Sequence, residues 1–220
     1  MSQLLVLIHT VPPLISVFDK LVGEILPGVR PKHLLDEPLL ERINQRGGLD
    51  SSDADRLLAH VHLAEEIGAA TVLVTCSTIS PLVDQVRNNS RVPVLKIDEV
   101  MIARAVQAGR RIGVLATNRS TLEPTCLLLA DEAGRLERNV AVEQVLITGA
   151  LESLLAGDGE RHDMLVRQAI LETSPRVDVI VLAQASMARV LETLPESERL
   201  VPVYSSPHLA LGRVKELLAG

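Results

Sequence analysis

Short runs of Val, Leu and Ile alternate along this chain with longer stretches whose apolar residues recur at helical spacing. The first pattern marks strands buried on both faces, the second helices with one apolar side. The pattern predicts strands at Leu4–Ile8, Val29–Leu34, Thr71–Val74, Val92–Leu95, Arg111–Leu115, Val140–Leu146, Asp178–Leu182 and Leu200–Val203. It predicts helices at Leu14–Leu26, Pro38–Gln45, Ser52–Ile67, Pro81–Asn88, Val100–Ala108, Thr121–Arg135, Gly149–Ala156, Arg161–Glu172, Ser186–Leu194 and His208–Leu218. Gly47-Gly48 and Gly157–Gly159 punctuate as loops. Strands and helices in alternation imply an α/β fold with mostly parallel sheets.

The pattern also repeats. Leu4–Thr10 aligns with Ile112–Asn118, and Thr71–Cys76 with Val179–Gln184, both at an offset of 108, since 112 − 4 and 179 − 71 agree. Val92-Pro93-Val94 aligns with Val201-Pro202-Val203 at 109. Three windows in order at one spacing, within one residue, indicate a tandem duplication. Two pseudo-symmetric lobes are expected, residues 1–98 plus 207–220 and residues 99–206, with the active site between them. On this alignment Cys76 corresponds to Gln184, His9-Thr10 to Thr117-Asn118, and Lys96 roughly to Tyr204.

Composition narrows the chemistry. The 220 residues are 47% hydrophobic but include one Phe, one Tyr and no Trp, so stacking on bases or sugar rings is a poor binding mode here. The net charge of −6, without a basic run, argues against nucleic acid and anionic membrane. The apolar start Leu4–Ile8 is too short to span a bilayer. Two distant cysteines and no signal sequence predict a reducing cytoplasm. No GxGxxG follows a strand and no GxxxxGK[ST] occurs, so nucleotide binding has no support.

The chemistry-bearing stretch is Thr71–Pro81. A buried strand runs into Thr75-Cys76-Ser77-Thr78, and Ser80-Pro81 then reads as an N-cap and first turn of a helix. Cys76 is thereby placed between a strand's C-terminal end and a helix's positive end, where anions and thiolates are favoured. The same spot also suits an inert core thiol.

Thr75-Cys76-Ser77-Thr78, Leu182-Ala183-Gln184-Ala185-Ser186-Met187 and Gly113–Thr117, in a doubled architecture, resemble the aspartate/glutamate/hydantoin racemase superfamily, which includes arylmalonate decarboxylase and maleate isomerase. The resemblance covers nearly the whole chain. It implies two α/β lobes holding the carboxylate of a small substrate, a Cys from each lobe flanking the carbon that loses or gains a proton, and no cofactor. It implies that Cys76 is an acid/base and that Ser77 and Thr78 bind the carboxylate, with Thr117, Asn118, Ser120 and Thr121 on the second-lobe side. Ala185 and Ser186 follow the second-lobe position, and His9 and Thr10 end the first strand toward the site. Members commonly form homodimers or larger, so a homo-oligomer is expected. The departure is Gln184, which stands where the family pattern has its second Cys; an amide hydrogen-bonds but does not exchange protons at neutral pH.

Racemisation needs a base and an acid on opposite faces and donors for an enediolate. With one thiol, three outcomes stay open: a racemase or isomerase with Cys76 on one face and another catalytic group, such as water held by Gln184, on the other; a decarboxylase in which Cys76 alone protonates; and a carboxylate-binding protein without turnover. Cys126, inside a predicted helix among leucines, reads as a buried core thiol. His60 and His62 do not share a helix face, so no metal site is expected. His33 and His162 lack evident partners and read as surface residues. Lys96 is expected to pair with Asp98 or Glu99, or to sit at the rim. Arg30, Arg119 and Arg189 are candidates for a second carboxylate.

Overall fold

In the computed structural model, which describes residues 3–219, the chain divides into two compact units, Met1–Glu99 with Pro207–Gly220, and Val100–Ser206. The first contains β1 (Leu4–His9), α1 (Pro13–Ile25), β2 (Arg30–Leu35), α2 (Glu37–Arg46), α3 (Ser51–Glu66), β3 (Thr71–Val74), α4 (Val83–Arg87) and β4 (Val94–Lys96). The second contains α5 (Glu99–Ala108), β5 (Arg111–Ala116), α6 (Arg119–Arg135), β6 (Ala141–Leu146), α7 (Ala150–Leu155), α8 (Gly159–Thr173), β7 (Val179–Leu182), α9 (Ala188–Thr193) and β8 (Val203–Ser205). Helix α10 (Ser206–Ala219) then returns to the first unit.

Each unit has one four-stranded parallel sheet, in order β2-β1-β3-β4 and β6-β5-β7-β8. The middle strands β1, β3 and β7 are buried at every position, because helices cover both faces, and their polar residues, His9 and Thr71, lie at strand ends. The edge strand β2 carries Arg30, Lys32 and His33 and is only part-buried. In the first unit Val6, Ile8, Leu57, Val61, Val72 and Val74 form one core with Cys76 at its margin; in the second Leu115, Val166, Ile170, Ile180 and Leu182 form the equivalent.

Strand order fixes where a ligand would bind. The chain leaves β1 toward β2 and then crosses back to β3, so the switch point of the first sheet lies between the C-terminal ends of β1 and β3, and that of the second between those of β5 and β7. In open α/β sheets this is the binding crevice. Thr10 and Cys76 stand there in one unit, Thr117 and Gln184 in the other.

The ladders also correct the repeat alignment. Leu5 pairs with Thr71 and Ile112 with Val179, so β1 maps onto β5 at 107 rather than 108. Thr10 therefore corresponds to Thr117, and His9 to Ala116. The Cys76–Gln184 equivalence stands, since Thr75 N donates to Ile8 O just as Ala183 N donates to Leu115 O. Lys96 pairs with Val74 and Ser205 with Leu182, so Ser205, not Tyr204, is the counterpart of Lys96. The last strand forms at Val203–Ser205 rather than Leu200–Val203, because Pro202 O accepts from Ile180 N and the ladder proper begins beyond it.

Candidate active site

Cys76 follows β3 and is buried, with 8% of its surface exposed. Burial pushes its thiol up; the Thr10 side chain, the backbone N–H groups of Ile79 and Thr78, and the Thr78 side chain, all nearby, pull it back toward the thiolate. Thr10 Oγ1 is buried with no hydrogen-bond partner among the described residues. The expected lowering by a helix end is overturned. Ser80–Leu82 is a single 3₁₀ turn leading into the five-residue α4, too short to present a strong dipole. Ser80 does not cap it: its hydroxyl donates instead to Asp98 Oδ1 at 2.9 Å. The donors around the sulfur are thus local amides and hydroxyls.

Asp98 enters the sequence reading only as an expected partner of Lys96, because nothing beside Ile97 and Glu99 marks it as part of the site. It lies two residues beyond β4 and is fully buried. Burial raises its carboxyl to about 6, against the opposing pull of the Ser80 hydroxyl, its own N–H, the Ser77 hydroxyl and Lys96. Lys96 pairs with neither Asp98 nor Glu99: its Nζ contacts Asp84 Oδ2 at 2.5 Å.

His9 is buried and tilted against Phe18, with a ring-centroid separation of 5.7 Å, and stacks on His33 at 5.1 Å. His9 Nε2 meets His33 Nδ1 at 2.8 Å, His33 Nε2 meets Asp19 Oδ1 at 3.0 Å, and Thr75 Oγ1 meets His9 Nδ1 at 2.7 Å. The Thr75 hydroxyl has one hydrogen, which it donates to Ile8 O at 2.9 Å, so its lone pairs face His9 Nδ1 and that nitrogen is the donor of the pair. Burial and the neighbouring His33 lower His9 to about 4, against an upward pull from Asp19. His33 is therefore no isolated surface residue; the parallel pairing of β1 with β2 brings the two imidazoles together. His60 is likewise engaged, at 2.7 Å from Asp36, which also takes both Arg56 contacts at 2.6 Å.

In the second unit Gln184 Oε1 accepts from Thr117 N at 2.5 Å and from Thr117 Oγ1 at 3.1 Å. This fixes the amide: its oxygen is turned onto Thr117, and its N–H₂ is the end left for other partners. Thr10 and Cys76 in one unit stand at the positions of Thr117 and Gln184 in the other, with sulfur at one place and amide at the other. Asn118 accepts from Ser120 N at 3.2 Å and caps α6, which accounts for it structurally. Ser120 Oγ is buried with no hydrogen-bond partner among the described residues. Thr121 is buried in the first turn of α6. Ala185 is buried and Ser186 half-buried in the turn after β7.

Other expectations change. His162 is buried, not superficial, with Nδ1 at 2.8 Å from Asp163, and Arg189 turns onto the same Asp163 at 2.8 Å. Arg30 opens β2, at the end of the sheet away from Cys76. Cys126 is half-buried rather than enclosed. Among the described residues no group of three or more His, Cys, Asp or Glu is placed to hold a metal ion, and no helix is long and apolar enough to cross a membrane.

The doubled sheet with its chemistry at the two switch points has known counterparts. An uncharacterized protein of Schizosaccharomyces pombe is 30% identical over 157 residues, 70% of this chain; the matched part is 64% of that relative's length. Allantoin racemase from Klebsiella pneumoniae matches with a TM-score of 0.75 at 20% identity, over 99% of this chain and 88% of that one. Glutamate racemase from Bacillus anthracis gives 0.73 at 15%, over 99% and 82%. A glycine-to-cysteine mutant of arylmalonate decarboxylase, in a sulfate-associated form, gives 0.63 at 20%, over 99% and 94%. The model of one family, Asp/Glu/hydantoin racemase, spans residues 16–214, taking in Cys76 and Gln184. A repeated four-stranded parallel sheet, the Cys76 loop at its first switch point and this match lead to one conclusion: the chain is a member of the Asp/Glu/hydantoin racemase family.

Proposed function

We propose that the protein is a cofactor-independent racemase or isomerase acting at the α-carbon of a small carboxylic acid, with Cys76 as acid/base. The observation that supports this most is the place of buried Cys76 at the switch point of the first sheet, with Thr10, Thr78 and Ile79 around it pulling its thiol toward the thiolate against burial. A thiol held up by burial keeps its proton at rest; local donors then stabilise the thiolate once the proton is given away. Ser77 and Thr78, with His9 and Thr10 from β1, are the substrate-binding residues of the first unit in this reading. Thr117, Asn118, Ser120, Thr121, Gln184, Ala185 and Ser186 are those of the second.

A second reading, decarboxylation of a malonate-like or β-keto acid, is favoured by Gln184. Its oxygen is committed to Thr117, and an amide supplies no proton. Loss of CO₂ creates the enediolate without a base, after which one thiol suffices.

Incubation of candidate acids in D₂O tests both. A racemase washes deuterium into the α-position reversibly; a decarboxylase incorporates it once, with release of CO₂. Cys76→Ala is expected to lower either rate by roughly 10²–10⁴-fold, the usual worth of a positioned acid/base. Full activity in Cys76→Ala overturns the assignment, and absence of exchange with every acid that binds leaves a carboxylate-binding protein.

A further inference from the structure

The two histidines on β1 and β2 are joined in a way that fixes how many hydrogens they hold. The contacts run from Ile8 O to Thr75 Oγ1 at 2.9 Å and from Thr75 Oγ1 to His9 Nδ1 at 2.7 Å. They continue from His9 Nε2 to His33 Nδ1 at 2.8 Å and from His33 Nε2 to Asp19 Oδ1 at 3.0 Å. Both ends of this series are acceptors. Ile8 O takes the hydrogen of the Thr75 hydroxyl, so Thr75 Oγ1 accepts from His9 Nδ1. An ionised Asp19 likewise accepts from His33 Nε2.

The contact between the rings then decides the count. A neutral imidazole holds one hydrogen, and in each ring that hydrogen is already placed on the outer nitrogen. His9 Nε2 and His33 Nδ1 would face each other with bare lone pairs at 2.8 Å, which repels. One further hydrogen between them turns the repulsion into a charge-assisted hydrogen bond. The pair therefore closes with three ring hydrogens and one positive charge. His9 is fully buried and its own value is lowered to about 4, whereas His33 faces the exposed carboxylate of Asp19, so the charge resides on His33.

We propose that His33, as an imidazolium braced on Asp19, is a positioning residue: it donates to His9, His9 donates to Thr75, and the end of β3 that leads into Cys76 is thereby pinned to β1. Thr75 directly precedes Cys76, and its N–H and its hydroxyl both go to Ile8 O. Both ring nitrogens of His9 are spent in this series, so its hold on a bound carboxylate comes from the charge of the pair and not from a hydrogen bond. The proposal rests on the reading of Cys76 as the acting thiol. The hydrogen count does not, so the two can fail apart.

The other charges nearby leave the pair to itself. His33 and Asp19 are the groups whose charge acts on His9. Lys20 and Glu24 of α1 are exposed. Arg30 and Lys32 of β2 alternate with His33 along the strand and so point from the other face of the sheet. Asp36, beyond β2, is held by Arg56 and His60, and Lys96, at the end of β4, by Asp84. Beyond β3 and β4 lie the Cys76 thiol and the Asp98 carboxyl, both pushed up by burial.

Nitrogen-15 NMR of the histidine rings in the wild-type protein at about pH 7 tests the count, whatever the variants do. His33 should carry hydrogen on both nitrogens and His9 on Nδ1 alone. Hydrogen on His9 Nε2, or a bare nitrogen on His33, overturns the proposal. The positioning role is read from alkylation of Cys76 by iodoacetamide in a Cys126→Ala background. His33→Asn puts an amide N–H₂ where Nδ1 stood and should keep Cys76 as slow as in wild type. His33→Phe fills the space without a donor and should speed the reaction about tenfold, the worth of one charge-assisted hydrogen bond. As pH rises and the pair loses its third hydrogen, wild type should gain reactivity beyond the ionisation of one thiol, while His33→Asn should not. Equal rates in His33→Asn and His33→Phe, matching pH profiles in wild type and His33→Asn, or a Cys76 that resists the reagent in every variant each refute the role. Should the count and the rates come out as stated while no acid exchanges deuterium, the pin stands and the proposed function falls.

Discussion

His9 and Asp98 are buried titratable groups whose folded values move in opposite directions. His9 falls from 6.5 to about 4, so the unfolded chain binds the extra proton between those values, and its contribution to stability grows with pH across that window. Asp98 rises from 3.8 to about 6, so the folded protein binds the extra proton, and its contribution is complete below 3.8 and lost as pH climbs through about 6. Each slope is roughly 1.4 kcal/mol per pH unit, and between about pH 4 and about pH 6 they oppose. Urea unfolding across that range should reveal the two separately. His9→Asn should lose stability as pH rises, and Asp98→Asn should gain it; slopes of the same sign would contradict these environments. Cys76, Gln184 and the hydroxyls beside them were readable as chemistry in the sequence because strand-end motifs stand next to one another there. Asp98, His33 and Asp19 were not, since their partners come from other elements and only parallel pairing brings them close.

Element by element, the hydrophobic pattern was legible where strands are buried on both faces, as at Thr71–Val74, whose bounds agree to the residue. It blurred at Ser80–Leu82 and Ala185–Met187, where short 3₁₀ turns stand in place of the first turn of a longer helix. There side chains such as the Ser80 hydroxyl are drawn to tertiary partners rather than to capping. Gly113 shows what the pattern hides. A Cβ at this position in β5 would lie 2.9 Å from Thr173 Cγ2 and 3.4 Å from Ile180 Cγ1, so the absent side chain is what lets α8 settle on the strand. Gly113→Ala is expected to cost about 1–3 kcal/mol by overpacking, read as a lower urea midpoint with little change in slope. An unchanged midpoint would mean that Thr173 moves aside freely.

At the scale of the whole molecule, the duplication was visible because both sheets keep the same strand order and nearly the same spacing. The single-residue slip between β1 and β5 was not, since hydrophobic hexapeptides align almost equally well one step apart, and only the ladders settle it. The first unit is also interrupted. Its last helix, α10, contributes buried Ala210, Leu211 and Val214, and Gln3 Nε2 donates to Leu218 O at 3.1 Å. Deleting residues 206–219 should strip hydrogen-exchange protection from β1–β4 while β5–β8 keep theirs; equal loss in both sheets would show that they unfold as one. A ribosome delivers such a chain in an awkward order. All four strands of the later sheet leave the exit tunnel before the earlier one receives its closing helix. The half that is made first is therefore completed last, and its apolar strands need shelter until α10 emerges.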